Sequence, residues 1–156
     1  MRHPIHVPLA VAVLLAGCRA TPPSGAERAV VSFVKRNVTI RGRSDRSPLA
    51  ASAEEVRRGA RAFSSYCAAC HGLDGQNTGV PFAEAMSPPV PRLSSREVQG
   101  YTDGQLHWII ANGIWPSGMP AARGLLGDEE VWEIVQYLRH LPPAGSLGEP
   151  AMYAPR

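Results

Sequence analysis

Apolar positions recur along this chain with the spacing of a helix in four places, separated by long stretches rich in glycine, proline and polar residues. The first is Glu27 to Ile40, where Val30, Val31, Val34 and Val38 lie on one side with Lys35 and Arg36 opposite. β-Branched residues dominate it, so the spacing predicts only a short amphipathic helix, on the domain or on a lipid surface. The second opens at Ser52, with Glu55 three residues on as a capping box, and carries Val56, Gly59, Ala60 and Phe63 on one face to about Tyr66. The third opens at Thr102 with Gln105, runs through Trp108, Ile109 and Ile110, and stops at Asn112-Gly113. The fourth opens at Gly127-Asp128-Glu129-Glu130, with acidic residues at its positive end, and buries Val131, Ile134, Val135 and Leu138 before Pro142-Pro143.

The segments between them define the organisation. Leu9 to Ala16 is an uninterrupted apolar run behind Arg2, far too short to span a bilayer and laid out like a secretory signal over residues 1–17. It ends in Leu15-Ala16-Gly17-Cys18, which resembles the lipobox of bacterial lipoproteins, so Cys18 is expected to carry a lipid. Residues 18–51 then read as a lipid-anchored linker holding the first short helix, with polar stretches at Ala20–Gly25 and Arg41–Ala51. A domain is expected over 52–143, in which the glycine- and proline-rich segment after Gly72, up to about Pro91, wraps a surface. Residues 144–156 read as a flexible tail.

Composition sharpens this. A chain of 156 residues with 15 glycines, 15 prolines and few aromatics offers one small, loop-rich domain plus extras. Such a domain has little apolar surface to bury and would be marginal unless a prosthetic group formed much of its core. Charge is uneven: about ten basic against about four acidic residues from Arg19 to Arg61, and about five against nine from Ala62 onward. The basic stretch is read as a solvated linker, with a collar that steers an acidic partner as the sharper alternative. Nucleic acid is not an expected partner of an exported lipoprotein.

The candidate chemistry sits at Cys67-Ala68-Ala69-Cys70-His71, behind Tyr66. Two cysteines two residues apart, followed at once by histidine, form the attachment pattern of a c-type haem. One helical turn places both sulfurs along one porphyrin edge for thioether formation, and His71 below the iron as proximal ligand. A structural zinc site would need two more Cys or His at matching spacing, and Cys18 is the only other cysteine. A thioredoxin-like pair belongs in a βαβ pattern, which this chain does not show.

The opposite face of the iron has five candidates: Met86, Met119, Met152, His107 and His140. Met119 stands in a loop between two helices, flanked by Gly118, which lets the backbone come close, and Pro120, which stiffens it. Met86 lies in the wrapping segment and fits a pocket-lining role, Met152 lies in the tail, and His140 suits the negative end of its helix. His107 reads as an exposed or core-edge side chain. Met119 is therefore the expected distal ligand. Histidine with methionine fills both axial positions and raises the potential, which is electron-transfer chemistry.

These residues resemble a class I cytochrome c of the bacterial single-haem type, from about Ala53 to Pro142. Cys67-Ala68-Ala69-Cys70-His71 matches the haem-binding motif and Ser117-Gly118-Met119-Pro120 the distal-ligand loop. Gly59 and Phe63 match first-helix positions that cross the last helix closely, where Ile134, Tyr137 and Leu138 receive them. The resemblance implies an all-α fold, three main helices and long loops around one covalent haem c. It implies that a proline carbonyl in the wrapping segment orients His71, with Pro81, Pro88 and Pro89 all open, and that Trp108 and Arg92 neighbour the propionates. The expected role is single-electron transfer with redox partner proteins by a periplasm-facing, lipid-anchored carrier that turns over no small-molecule substrate. The alternatives are an electron-accepting haem subunit of a larger dehydrogenase or oxidase, and a haem sensor or peroxidase with a labile sixth ligand.

Overall fold

The structure is a computed structural model, and it describes residues 24–154 apart from Arg43 and Pro116. The signal segment 1–17 and Cys18 lie outside the described residues. Two compact units divide the chain, one up to Val34 and one from Lys35 onward.

In the first unit, helix α1 spans Gly25–Val34. Ser24 starts it: the Glu27 amide donates to Ser24 Oγ (3.2 Å) and the Ser24 amide to Glu27 Oε2 (2.7 Å), a capping box two turns ahead of the valine stripe. Val30, Val31 and Val34 are exposed. The helix is shorter than the pattern predicts, because the backbone changes to one wide π-turn over Lys35–Thr39.

Among its described residues the second unit holds, besides the π-turn, five α-helices: α2 Ala53–Tyr66, α3 Ala68–His71, α4 Arg96–Gln99, α5 Asp103–Asn112 and α6 Asp128–Arg139. Among the described residues there is no strand, only isolated bridges at Ile114–Met119 and Arg123–Leu126. The unit is all-α, as the resemblance implies.

Helices α2 and α6 cross at the centre. Gly59 faces the main chain of Glu133, and one turn on the Phe63 ring packs on Tyr137 with centroids 5.1 Å apart. Phe63, Ile134 and Val135 are almost completely buried there, and Leu106, Ile109 and Ile110 of α5 close the core from the side. Arg139 fixes the start of α5 to the end of α6, donating to Asp103 Oδ1 (2.8 Å) and to the carbonyls of Gln99 (3.0 Å) and Tyr101 (2.6 Å).

Both helix-start signals at the sequence level act, but not identically. Thr102 and Gln105 form the complete capping box. At Ser52 only half forms: its hydroxyl accepts from the Glu55 amide, while the Glu55 carboxylate turns to Arg58. A nearby guanidinium outcompetes a backbone amide for that carboxylate.

Arg36, Ile40 and Gly42, ahead of the domain expected over 52–143, pack against it. Ile40 is buried in the core. Arg36 stacks on Tyr101 (4.7 Å to the ring centroid) and donates to the carbonyls of Glu97 (2.5 Å) and Gly100 (3.3 Å), and Gln105 Nε2 donates to the Arg36 carbonyl (2.7 Å). Gly42 and Gly104 touch backbone to backbone, where a Cβ on Gly104 would meet the Gly42 oxygen at 2.0 Å. The tail also differs from its expected looseness: Pro150 is buried, and Gly145 and Tyr153 bond back to the segment around the cysteine motif.

Candidate metal centre

The Cys-x-x-Cys-His segment is built where the long helix α2 meets the four-residue α3 at Cys67. The Cys67 amide donates to Phe63 O (2.8 Å), closing α2, and its carbonyl then accepts from Cys70 (3.1 Å) and His71 (3.0 Å), opening α3. Gly72 ends that turn at φ 71°, a conformation that L side chains rarely adopt, with its amide on Ala68 O (2.9 Å). The two cysteines are thus i and i+3 on a single turn, neighbours on one helical face. Both are free thiols. Cys67 is half-buried and Cys70 exposed, and burial, with Cys70 adding to it, pushes the Cys67 thiol up to about 12.

His71 is held with its ring 6.4 Å from Phe63. Burial pushes its pKa down, partly offset by the nearby Pro91 carbonyl. Its Nδ1 is buried without a partner in hydrogen-bond alignment, although that carbonyl is close enough to favour a proton on the ring. A neutral imidazole with one nitrogen directed at a backbone carbonyl is the form that ligates a metal through the other. The carbonyl belongs to Pro91 and not to Pro81, Pro88 or Pro89. The wrapping segment brings it there: Asn77 donates its amide to His71 O (2.8 Å) and its side chain to Val90 O (2.8 Å), and Leu93 donates to Gly75 O (2.8 Å).

Met119 sits in a closed loop. Ile114 donates to Met119 O (3.1 Å), Ser117 to Ile114 O (2.9 Å), and the Met119 amide meets Ser117 Oγ (3.4 Å). Gly113, at φ 69°, lets that loop fold back, since a Cβ there would lie 2.6 Å from Met119 O. Met119 is half-buried against the same apolar cluster that Cys67 packs on. Met86 reaches the same loop: its Cε would be 3.5 Å from a Cβ on Gly118. The wrapping segment therefore delivers a second methionine beside the first.

The other candidates are engaged elsewhere. His140 Nδ1 is 2.8 Å from Gln136 O. His107 stacks on Trp132 (4.2 Å) with Nε2 2.9 Å from Asp128 Oδ1, and Met152 is exposed. Arg92 lies on the surface 3.6 Å from Glu84, and Trp108 packs on the core cluster. Among the described residues no three His, Cys, Asp or Glu side chains gather into a metal-binding cluster. What the segment offers is two thiols on one turn, a half-buried imidazole next to them, and thioether sulfur on the same core. That donor set fits a covalently attached haem.

Three neighbours carry no motif of their own. Asp74 is fully buried and accepts from Thr78 Oγ1 (2.6 Å), the Gln76 amide (2.9 Å) and the Gly145 amide (2.7 Å). Tyr137 donates its hydroxyl to Leu73 O, and Tyr153 its own to Ala69 O, each at 2.8 Å. Only the Asp74-Gly75 pair hints at this in sequence, as a turn signal.

Residues 54–138 match the family model described as cytochrome c oxidase, cbb3-type, subunit III, which takes in α2, the cysteine–histidine turn, the Met119 loop and nearly all of α6. No curated protein matches the chain significantly.

Proposed function

We propose, for a chain that belongs to the cytochrome c family of cbb3-type oxidase subunit III and is thereby an electron-transfer protein carrying covalent haem c, that Cys67 and Cys70 bear the thioether bonds and that His71 and Met119 are the axial ligands. The observation that carries this reading is the half-buried His71, its Nδ1 enclosed, one residue beyond two thiols on a single turn. A haem bound there would supply one-electron redox chemistry, with Cys67, Cys70, His71 and Met119 holding it. This chain's residues supply the rest. The Pro91 carbonyl favours one tautomer of His71, the Gly113 turn presents Met119, and the α2–α6 crossing keeps Phe63 and Tyr137 packed beside the attachment turn.

The same reading places a single haem in a periplasm-facing protein tethered by lipid on Cys18, exchanging single electrons with redox partner proteins. Supporting the tether is the Leu-Ala-Gly-Cys ending of the apolar run, and no helix among the described residues is long and apolar enough to cross a membrane. A second reading, an electron-accepting subunit within a larger oxidase or dehydrogenase, is favoured by the family's own description as an oxidase subunit.

Absorption spectra test the ligation. The oxidised protein is expected to be low-spin with a sulfur-to-iron charge-transfer band. Met119→Ala should abolish the band and open the iron to added cyanide. If Met86→Ala does this and Met119→Ala does not, the distal ligand is Met86.

A further inference from the structure

The chain continues past the matched residues, and its last described segment returns to the attachment turn. Five contacts lie along the way. Gln76 Nε2 donates to Pro142 O (3.0 Å), and the Gly145 amide donates to Asp74 Oδ2 (2.7 Å). The Glu149 side chain covers Gly79 so closely that a Cβ there would meet its Cγ at 2.4 Å. Tyr153 packs edge-on against Phe82 (6.0 Å, 80°) and donates its hydroxyl to Ala69 O (2.8 Å).

Ala69 lies between the two cysteines. Helix α3 is only four residues long, so its carbonyls have few partners within the helix. Tyr153 supplies one of those partners from 84 residues away. We propose that residues 142–154 form a strap that pins the attachment turn from outside, with Tyr153 as its latch and a positioning residue for the site. The inference rests on the reading that Cys67 and Cys70 carry the haem.

The physical logic is local. Holding the backbone between two thioether-forming residues fixes where both sulfurs stand, and the Tyr153 ring packs edge-on against Phe82 beside that turn. Without the latch the turn would open more often, and a haem held there would be better hydrated, which would lower its potential.

The test compares Tyr153→Phe and Tyr153→Ala with the full-length holoprotein, reading amide exchange at Cys70, His71 and Gly72 and the midpoint potential. Tyr153 is half-exposed, so both variants are expected to keep the fold. Tyr153→Phe keeps the ring but loses the hydroxyl, and exchange at the turn should rise roughly threefold to tenfold, the worth of one hydrogen bond. Tyr153→Ala should exchange faster still and have a lower potential, with covalent haem retained in both. Wild-type exchange and potential in Tyr153→Ala would overturn the strap. Wild-type exchange in Tyr153→Phe alone would overturn the hydroxyl latch. Absence of covalent haem from the unmutated protein would instead remove the attachment reading beneath it.

Discussion

A Cβ on Gly59 would lie 1.9 Å from the carbonyl oxygen of Glu133, so α2 and α6 cross with their backbones in contact at this pair. The crossing holds Phe63 against both Tyr137 and His71, and so sets the position at which α2 hands the chain to Cys67. Gly59→Ala gains about 1 kcal/mol in helix propensity but must push apart two main chains, at a cost of about 2–3 kcal/mol or more. The clash wins. A fall of roughly 10 °C in the thermal midpoint is expected for the holoprotein, from calorimetry at fixed protein concentration.

Asp74 gives a pH-dependent prediction. Burial pushes its carboxyl up, but bonds from Thr78, Gly145 and Gln76 together outweigh this and hold it below the usual value. The folded pKa is therefore lower than the unfolded value of about 3.9. Its contribution is complete above that value and is lost as pH falls through the folded pKa. Facing it from α6 is Tyr137, whose hydroxyl burial and Asp74 both push up, so it stays neutral across this range. Asp74→Asn should cost about 1–3 kcal/mol at pH 7 and flatten the stability loss below about pH 4, as urea titrations across pH would show.

Arg36 and Ile40 lie ahead of the family match yet belong to the folded unit. Ile40→Ala should cost about 2–4 kcal/mol as a core truncation. Arg36→Ala leaves the Glu97 and Gly100 carbonyls without their guanidinium and bares the Tyr101 ring, for about 1–2 kcal/mol. Arg36→Lys should recover little of it, because one ammonium cannot span both carbonyls and the ring face. Denaturant midpoints decide the matter: if both Ala variants match wild type, residues 35–51 are linker after all.

What could be read from sequence was local. The Thr102–Gln105 cap, the Asn112-Gly113 stop and the Val131, Ile134, Val135 and Leu138 stripe are encoded within a few residues, and the Cys67–His71 motif carries its chemistry in its spacing. What escaped depends on long-range contacts made by segments with no periodicity. Ile40 is one apolar residue in a basic stretch, and Tyr153 one aromatic in a proline-rich tail; only the fold shows where each lands. Pro91 was hidden for a similar reason, since the return of the wrapping segment is set by Asn77 at φ 64° and its bond to Val90, not by any proline spacing. At Ser52 the local signal was right about the helix and wrong about the partner, because Arg58 lies within reach of Glu55.

Attachment of haem through Cys67 and Cys70 bears everything else. The intact mass of the mature protein, made in a host competent for haem ligation, tests it directly. The expected mass exceeds the polypeptide (and any N-terminal lipid) by one haem, and the excess disappears when Cys67 and Cys70 are both replaced by alanine. A red protein whose haem stays bound in that double variant, or a wild-type chain of unmodified mass, would contradict the account.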